Sequence, residues 1–251
     1  MVHALEIAYV GTRYAGWQRQ TNALAVQQVI EAALADLAGE PVTVVGAGRT
    51  DAGVHAEGQV ASFRLPRPLP APALVHGTNA RLPEEVRVLR AAAVADGFHA
   101  RRSAAAKVYR YRLFLGRVPP PALAPFVWAV RDDLDLSALE AAAAALPGEH
   151  DFAAFALAGA APGPTRRRIF AAAWERRGEE LLFTVAGEGF LRGMVRGLVG
   201  TLVEVGRGRR DPAGFRTLLD GARRAAAGET APARGLVLAR VDYPGPSAPL
   251  W

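Results

Sequence analysis

The chain has 251 residues, of which 51% are hydrophobic, and it carries a formal net charge of +6 and no cysteine. This length suits one large domain or two modest ones, and the lack of cysteine excludes disulfides, thiolate nucleophiles and cysteine-ligated zinc. No apolar run reaches the roughly eighteen residues of a membrane helix, and residues 1–11 lack the layout of a secretion signal. We therefore expect a cytoplasmic protein with no membrane partner.

The positive charge comes almost entirely from arginine, because Lys107 is the single lysine among 30 basic residues. Residues 1–100 contain 8 basic and 9 acidic side chains, whereas residues 101–251 contain 22 and 15. A guanidinium can bind phosphate through two hydrogen bonds, so this uneven distribution favours a polyanionic partner. GC-rich coding DNA, which enriches alanine, glycine, proline and arginine, is the alternative explanation.

The first half of the chain has the element order βαββαβ. The alternation of Leu5, Ile7 and Tyr9 predicts a strand, and apolar residues at helical spacing then predict a helix that ends at Gly39. The remaining predicted elements are strands at residues 42–45 and 59–65, a weak helix at 71–81 and a strand at 86–94.

The second half repeats this order. Its first predicted elements are a strand at residues 107–115 and a helix from the capping box of Ser137 and Glu140 to Leu146. Next come a hairpin of residues 166–176 and 181–185, which turns near Gly178, and helical spacing from Leu191 to Leu202. A helix that starts at Asp211-Pro212 and a strand at 236–241 complete this half, and residues 119–121 and 158–164 are predicted to be surface loops. The fold class is therefore α+β, with an N-terminal half at residues 1–100, a basic C-terminal half at 101–251, and paired sheets that face a shared cleft.

A glycine-rich loop follows the second predicted strand and reads Val-Gly-Ala-Gly-Arg-Thr-Asp-Ala-Gly-Val-His over residues 45–55. Within it, Arg49 and His55 flank Asp51, and a cationic neighbour favours an ionised carboxylate that can act as nucleophile or base. Alternatively, Asp51 closes a turn or caps a helix, or pairs with His55 on a metal. The loop lacks a Walker pattern and a complete G-x-G-x-x-G, so phosphate cradling is weakly supported.

The residues around Asp51 also carry a family resemblance. The run Gly48-Arg-Thr-Asp-Ala-Gly-Val-His-Ala56 closely resembles the signature of the tRNA pseudouridine synthase A family. Other segments also resemble the family, and they occur in the same order along the chain as in the family, at residues 11–20, 98–101, 107–111, 150–152, 189–200, 204–206 and 235–236. Together they span most of the chain, from residue 5 to Pro244.

This resemblance implies an isomerase that converts uridine to pseudouridine at tRNA positions 38, 39 and 40, in the anticodon stem-loop. It implies the pseudouridine synthase fold, in which two ferredoxin-like halves of βαββαβ type have sheets that flank a central basic cleft. It further implies a homodimer that binds tRNA and needs no metal and no organic cofactor.

The resemblance also assigns roles to individual residues. Asp51 matches the catalytic carboxylate, and Arg49 lies in the same signature as a substrate-binding residue. Tyr109 matches the tyrosine that packs against the target base, and Arg196 the arginine that pairs with the catalytic carboxylate. From pattern alone, Tyr109 is equally well a core residue of its strand, and Arg196 a solvated surface residue.

Further arginines are candidates for binding the RNA backbone. They are Arg101, Arg102, Arg166, Arg167 and Arg168. Phosphate contacts of this kind supply much of the affinity for nucleic acids, although such runs are often only solvated strand faces or loops.

The chain departs from the family's pattern at three positions: Val10 stands where the family usually has aspartate, and Gly193 and Gly197 replace larger residues. None lies in the signature around Asp51, so we expect retained activity with altered local contacts to RNA. Two other functions remain open, a non-catalytic RNA-binding protein and a metal-dependent phosphoesterase that uses Asp51 and His55.

Overall fold

The computed structural model describes residues 1–131, 133–157, 163–245 and 248–249. The chain divides into two compact units: the first comprises Met1–Lys107 and the chain from Leu238 onward, and the second comprises Val108–Val237. Within the described residues the secondary structure is mixed α+β, and no helix there is long and apolar enough to cross a membrane.

The first unit contains a mainly antiparallel sheet and two helices. Its elements are β1 (Val2–Tyr9), α1 (Val26–Ala38), β2 (Val45–Gly46), β3 (His55–Arg64), α2 (Ala71–Asn79) and β4 (Val86–Val94), followed later in the chain by most of β10 (Leu236–Asp242). The strand order is β4-β1-β3-β10, and β2 pairs with β3. β1 runs antiparallel to both β3 and β4, with Leu5 opposite Ala61 and Ala91.

Both faces of this sheet are covered by apolar side chains. Leu5 and Ile7 are fully buried on one face. Neighbouring residues of a strand point to opposite faces, so Ala4 lies on the other face, where it clusters with Phe98. Burial on both sides fixes the register of β1 and β3, and with it the position of the loop that leads into β3.

His3 is a buried polar residue in the first unit. Its ring stacks on Phe63 at a centroid distance of 5.6 Å, and neither ring nitrogen has a hydrogen-bond partner among the described residues. Burial, with a smaller contribution from the charge of the N-terminus, lowers the pKa of His3 from its ordinary 6.5. The folded protein therefore holds His3 in its neutral form.

This burial predicts an acid-sensitive stability. The unfolded chain takes up a proton at His3 near pH 6.5, whereas the folded protein does so only at lower pH, so stability is lost as the pH falls through the unfolded value. In urea titrations between about pH 7.5 and 5.5, His3→Phe should flatten the decline in the free energy of unfolding relative to the unchanged chain. Parallel declines for the two proteins would refute this role of His3.

The second unit pairs a second set of strands with three helices. Its elements are β5 (Ala106–Leu115), β6 (Trp128–Val130), α3 (Leu136–Ala143), β7 (Gly148–Asp151), β8 (Arg166–Arg177), β9 (Glu180–Gly187), α4 (Met194–Gly206) and α5 (Pro212–Arg216). The strand order is β5-β9-β8-β7, and the short β6 runs parallel to β5. The core contains fully buried Tyr111, Phe155 and Phe183, and α4 is buried along most of its length.

Several predicted elements are confirmed. β4 has the predicted bounds, and α1 ends at Gly39, which adopts the left-handed φ of 75° that favours glycine. The hairpin of β8 and β9 turns at Gly178, whose φ is 62°. Asp211 caps α5 by accepting a hydrogen bond from the Gly214 N–H, as the Asp-Pro pair predicts.

Other predictions are wrong in position. The strand predicted at residues 42–45 is the two-residue β2, and β3 begins at His55, before the predicted start at Gln59. Asp135, not Ser137, is the N-cap of α3, because the Asp135 side chain accepts a hydrogen bond from the Ala138 N–H at 3.0 Å. The short strands β6 and β7 were not predicted, and residues 158–162 of one predicted loop lie outside the described residues.

Candidate active site

The loop between β2 and β3 carries Asp51, which is half-buried. The Gln59 side chain of β3 donates to the Gly48 carbonyl at 2.8 Å. The Val54 N–H donates to the Asp51 carbonyl at 3.1 Å and closes a turn. The next element after this turn is β3, so Asp51 does not cap a helix. The turn is thus closed through the backbone carbonyl of Asp51.

Thr50 anchors the residue just before Asp51. Its hydroxyl forms a buried hydrogen bond of 2.9 Å with the Tyr9 hydroxyl, and its carbonyl accepts from the Trp17 N–H at 3.2 Å. Burial raises the pKa of Tyr9 to about 12, so this hydroxyl stays protonated at neutral pH. Two separate segments therefore fix the backbone that leads into Asp51.

The segment Gly11 to Gly16 packs backbone to backbone against the Asp51 loop. A Cβ atom on Gly16, whose φ is 93°, would lie 2.4 Å from the Thr50 carbonyl oxygen. A Cβ atom on Gly11 would lie 2.0 Å from the Val54 carbonyl oxygen. Both distances are impossible contacts, so only glycine permits this approach. Gly11 and Gly16 thus allow the close packing that shapes the loop carrying Asp51.

His55 is buried at the start of β3. Its Nδ1 accepts a hydrogen bond from the Gly11 N–H at 3.0 Å, so that nitrogen carries no proton and is already engaged. Across the described residues, no group of three or more His, Cys, Asp or Glu side chains is arranged to hold a metal ion. The pairing of Asp51 with His55 on a metal is therefore weakly supported.

Tyr109 lies on β5 and is 7% exposed. Its ring packs edge to face against Phe190, with ring centroids 5.1 Å apart. Tyr111, on the same face of β5, donates its hydroxyl proton to the Pro232 carbonyl at 2.7 Å, and burial raises its pKa well above the usual range. The aromatic side chains of β5 are thus held in fixed positions.

Arg196 is half-buried in the first turn of α4. Its Nε donates to the Ala231 carbonyl at 2.8 Å, and the Ala231 N–H donates back to the Arg196 carbonyl at 3.1 Å. Arg196 is therefore only partly exposed and is held against the backbone at residue 231. The bond through Nε fixes the plane of its guanidinium.

Two glycines at the start of α4 lie where the surrounding chain leaves no room for a side chain. Gly193 has a φ of 70°, and a Cβ atom there would lie 2.3 Å from the Leu157 side chain. A Cβ atom on Gly197 would lie 2.7 Å from the Phe155 carbonyl oxygen. The helix thus uses small residues to approach the chain around residues 155–157. At Val10, the third departure from the family's pattern, the backbone N–H donates to the Glu85 carbonyl at 2.9 Å, a bond that does not depend on the side chain.

Arg101 and Arg102 project from a well-defined turn in the first unit. Both side chains are exposed, and both backbone N–H groups donate to Nδ1 of His99, at 3.2 and 3.3 Å. The His99 N–H in turn donates to the Ser103 hydroxyl at 3.1 Å. The turn therefore presents two adjacent guanidinium groups to solvent from a fixed backbone.

The arginine run at the start of β8 is partly neutralised. Arg166 and Arg168 both pair with Glu149 on β7, at 3.0 and 3.7 Å, and the hydrogen bond from Arg166 is the main reason that the pKa of Glu149 is lowered. Arg167 donates instead to the Pro164 carbonyl at 2.9 Å. One carboxylate between two guanidinium groups leaves a net positive charge on this stretch.

Three polar residues near the Asp51 loop were not predicted from the sequence. They are Gln18, Gln27 and Glu31, which hydrogen bond to one another and to Arg49. Gln27 and Glu31 are four residues apart, so they lie on one face of α1, and both are buried. Polar residues at that spacing beside an apolar stripe are the signal that could have identified them.

Comparisons with known proteins agree with one another. A family profile described as tRNA pseudouridine synthase matches residues 6–101 and 142–244. The tRNA pseudouridine synthase A of Syntrophotalea carbinolica is 50% identical over 95% of this chain and 95% of its own. The enzymes of the same name from Methylobacterium nodulans and Moorella thermoacetica are 46% and 44% identical, over 96% and 95% of this chain and 96% and 98% of theirs.

Proposed function

We propose that this chain isomerises uridine to pseudouridine at positions 38, 39 and 40 of the tRNA anticodon stem-loop. The chain belongs to the tRNA pseudouridine synthase A family. The enzyme is an isomerase that acts on uridine in tRNA. The proposal rests on the match to a relative over 95% of this chain. The family's signature also lies in the loop around Asp51, which the hydrogen bond between Thr50 and Tyr9 holds in place.

The reaction sets the chemical demands on the site. The bond between ribose C1′ and uracil N1 breaks, the base rotates, and C1′ joins C5 of the same base. The C5 proton is lost to a base and N1 gains a proton, so the atoms balance without any oxidant or co-reactant. Acid-base and nucleophilic groups of the protein can supply each of these steps.

Asp51 is assigned the role of catalytic carboxylate. It can attack the nucleotide covalently, or it can remove a ribose proton so that uracil leaves as a glycal forms. Both routes need an ionised carboxylate oxygen at a fixed place. The backbone hydrogen bonds of Thr50 and Val54 support that assignment, because they hold the loop that carries Asp51 in one conformation.

Tyr109, Arg49 and Arg196 are assigned to the substrate. A tyrosine ring suits stacking on uracil, and Tyr109 is assigned to pack against the target base. Arg49 binds the substrate beside Asp51, and Arg196 pairs with the catalytic carboxylate. The hydrogen bond from Arg196 to Ala231 supports a positioned rather than a mobile guanidinium.

Arg101, Arg102 and the run Arg166-Arg167-Arg168 are assigned to the RNA backbone. A uridine in a stem must leave the base stack before an enzyme can act on it, at a cost of roughly a few kcal/mol. Phosphate contacts offset that cost and carry no sequence information. Residues 1–100 are proposed to carry Asp51 and residues 101–251 to complete a basic cleft between two ferredoxin-like halves, in a cytoplasmic homodimer.

The position of the product tests this proposal. Unmodified tRNA transcripts that carry a single anticodon-arm uridine, at position 38, 39 or 40, are incubated with the purified chain. Pseudouridine is then mapped by carbodiimide modification and primer extension. We expect a stop at each of the three positions, and a transcript with cytidine there as control should give none. Stops confined to other arms of the tRNA would overturn the assignment to the anticodon stem-loop.

A further inference from the structure

A buried carboxylate lies close to the Asp51 loop but outside the residues assigned above. The Glu31 side chain is 9% exposed. Its Oε1 accepts from the Val44 N–H at 3.1 Å and from Gln27 Nε2 at 2.9 Å, and its Oε2 accepts from Arg19 Nη1 at 2.9 Å. Burial of a charge costs free energy even when the charge is paired, so a buried ion pair is weak evidence for stability alone.

Glu31 fixes the orientation of the Gln27 amide. Gln27 Nε2 donates to Glu31 and also to the Val44 carbonyl at 3.1 Å, so the amide nitrogen must face in that direction. Its Oε1 therefore faces the other way, where it accepts from Gln18 Nε2 at 2.7 Å and from the Arg19 N–H at 2.9 Å. The amide is fully oriented by its four hydrogen bonds.

The same logic extends to Arg49. Because Gln18 Nε2 is used on Gln27, Gln18 Oε1 is left to accept, and it accepts from Arg49 Nε at 3.1 Å. The hydrogen bonds thus run in one direction, from the guanidinium through two amides to the buried carboxylate. Arg49 itself is exposed and lies two residues before Asp51.

We propose that Gln18, Gln27 and Glu31 are positioning residues that orient the Arg49 guanidinium beside Asp51. This relay, defined as Arg49-Gln18-Gln27-Glu31, rests on the proposed function of the Asp51 loop. An exposed arginine loses side-chain conformational entropy when it is immobilised. The relay orders the Arg49 side chain when the protein folds, so this entropy is not lost again when the substrate binds.

A double-mutant cycle tests the relay. The variants are Gln18→Met, which keeps the length of the side chain without its amide, and Arg49→Met, alone and combined. Single-turnover tritium release is measured at saturating enzyme, so that binding does not enter. We expect Gln18→Met to slow the step about tenfold, and to have little further effect when Arg49 is already methionine. An unchanged rate in Gln18→Met, or effects that simply multiply, would overturn the proposal.

Two further variants separate positioning from stability. Glu31→Gln replaces the charged acceptor of Gln27 with a neutral one and removes the ion pair with Arg19, so the relay is weakened and the same step should slow about threefold, although Glu31 lies two amides away from Arg49. Gln28→Met is the matched control on α1, because Gln28 caps the helix through the Ala25 N–H and belongs to no part of the relay. It should lower the unfolding temperature and leave the rate unchanged. A Glu31→Gln enzyme with the unchanged rate would refute the relay.

A readout independent of turnover distinguishes failure of the relay from failure of the proposed function. In protein labelled with 15N-arginine, the Nε–H resonance of Arg49 is assigned by its loss in Arg49→Met. The relay predicts slow solvent exchange of that proton, and faster exchange in both Gln18→Met and Glu31→Gln. Equal exchange in all three proteins would contradict the relay even if the enzyme were active. Absent turnover with the predicted exchange would count against the function alone.

Discussion

Asp51→Asn should slow tritium release from 5-labelled uridine by at least about a thousandfold, because the amide can neither attack the nucleotide nor remove a ribose proton. Asparagine has the same shape as aspartate, and the turn at Asp51 is closed by its backbone carbonyl. The loop should therefore keep its conformation. The change isolates the charge and basicity of the carboxylate from its geometry.

Binding of RNA should survive this change. The affinity of an RNA enzyme comes largely from phosphate contacts, so the Kd for tRNA should stay within about threefold, and loss of a negative charge would not weaken it. Glu57→Gln, the same chemical change at the next acidic residue along the chain, is the control and should keep its turnover. An Asp51→Asn enzyme with near-normal turnover would show that another group does the chemistry.

Gly200→Ala should be the most damaging single-methyl change in the second unit. A Cβ atom on Gly200 of α4 would lie 1.8 Å from the Glu229 carbonyl oxygen and 3.2 Å from the Ala231 nitrogen. These are backbone atoms, which cannot rotate away as a side chain can. Either α4 or the chain at residues 229–231 must move, and Ala231 holds Arg196 through two hydrogen bonds.

The loss of stability expected for Gly200→Ala is the difference between a favourable helix propensity and an unfavourable steric clash. Alanine is favoured over glycine inside a helix by about 1 kcal/mol, whereas overpacking of this kind costs roughly 3 kcal/mol. The net loss of about 2 kcal/mol corresponds to a fall of roughly 6 °C in the midpoint of thermal unfolding. Turnover should also fall, because Arg196 loses its fixed position.

Gly189→Ala is the control for this measurement. Its nearest neighbours lie 4.0 Å away in the Arg167 side chain, so an added methyl group meets no clash. Calorimetry of the two variants should show a fall for Gly200→Ala only. An unchanged or higher unfolding temperature for Gly200→Ala would mean that α4 and residues 229–231 do not pack as closely as described.

The sequence predicts those parts of the fold that local chemistry determines. The end of α1 at Gly39 and the start of α5 at Asp211 depend on residues within a few positions of each boundary. The N-cap of α3 is also local, since the Asp135 side chain accepts from the Ala138 N–H, but Ser137 with Glu140 offers a competing capping pattern two residues later. β7 was missed because its polar residues form a strand only through their pairing with β8.

In the candidate site, too, the sequence predicts some features, whereas others depend on contacts between distant parts of the chain. The family signature identifies Asp51, and no property of the local pattern alone separates it from a turn-forming aspartate. Its supports are non-local: Thr50 binds Tyr9, and Gly16 faces the Thr50 carbonyl across a gap that no side chain could occupy. The roles of Gln18 and Glu31 likewise depend on which atoms meet in the fold, which the spacing of residues cannot reveal.

We propose that this chain carries out the isomerisation itself, through a carboxylate and without a metal. The most direct test is tritium release by the purified chain from unmodified tRNA labelled at uridine C5, in excess EDTA, with pseudouridine quantified in the same RNA. We expect the amount of tritium released to equal the amount of pseudouridine formed, and EDTA to have no effect on either. RNA binding without tritium release would contradict the proposal in favour of a binding protein, and RNA cleavage abolished by EDTA would contradict it in favour of a phosphoesterase.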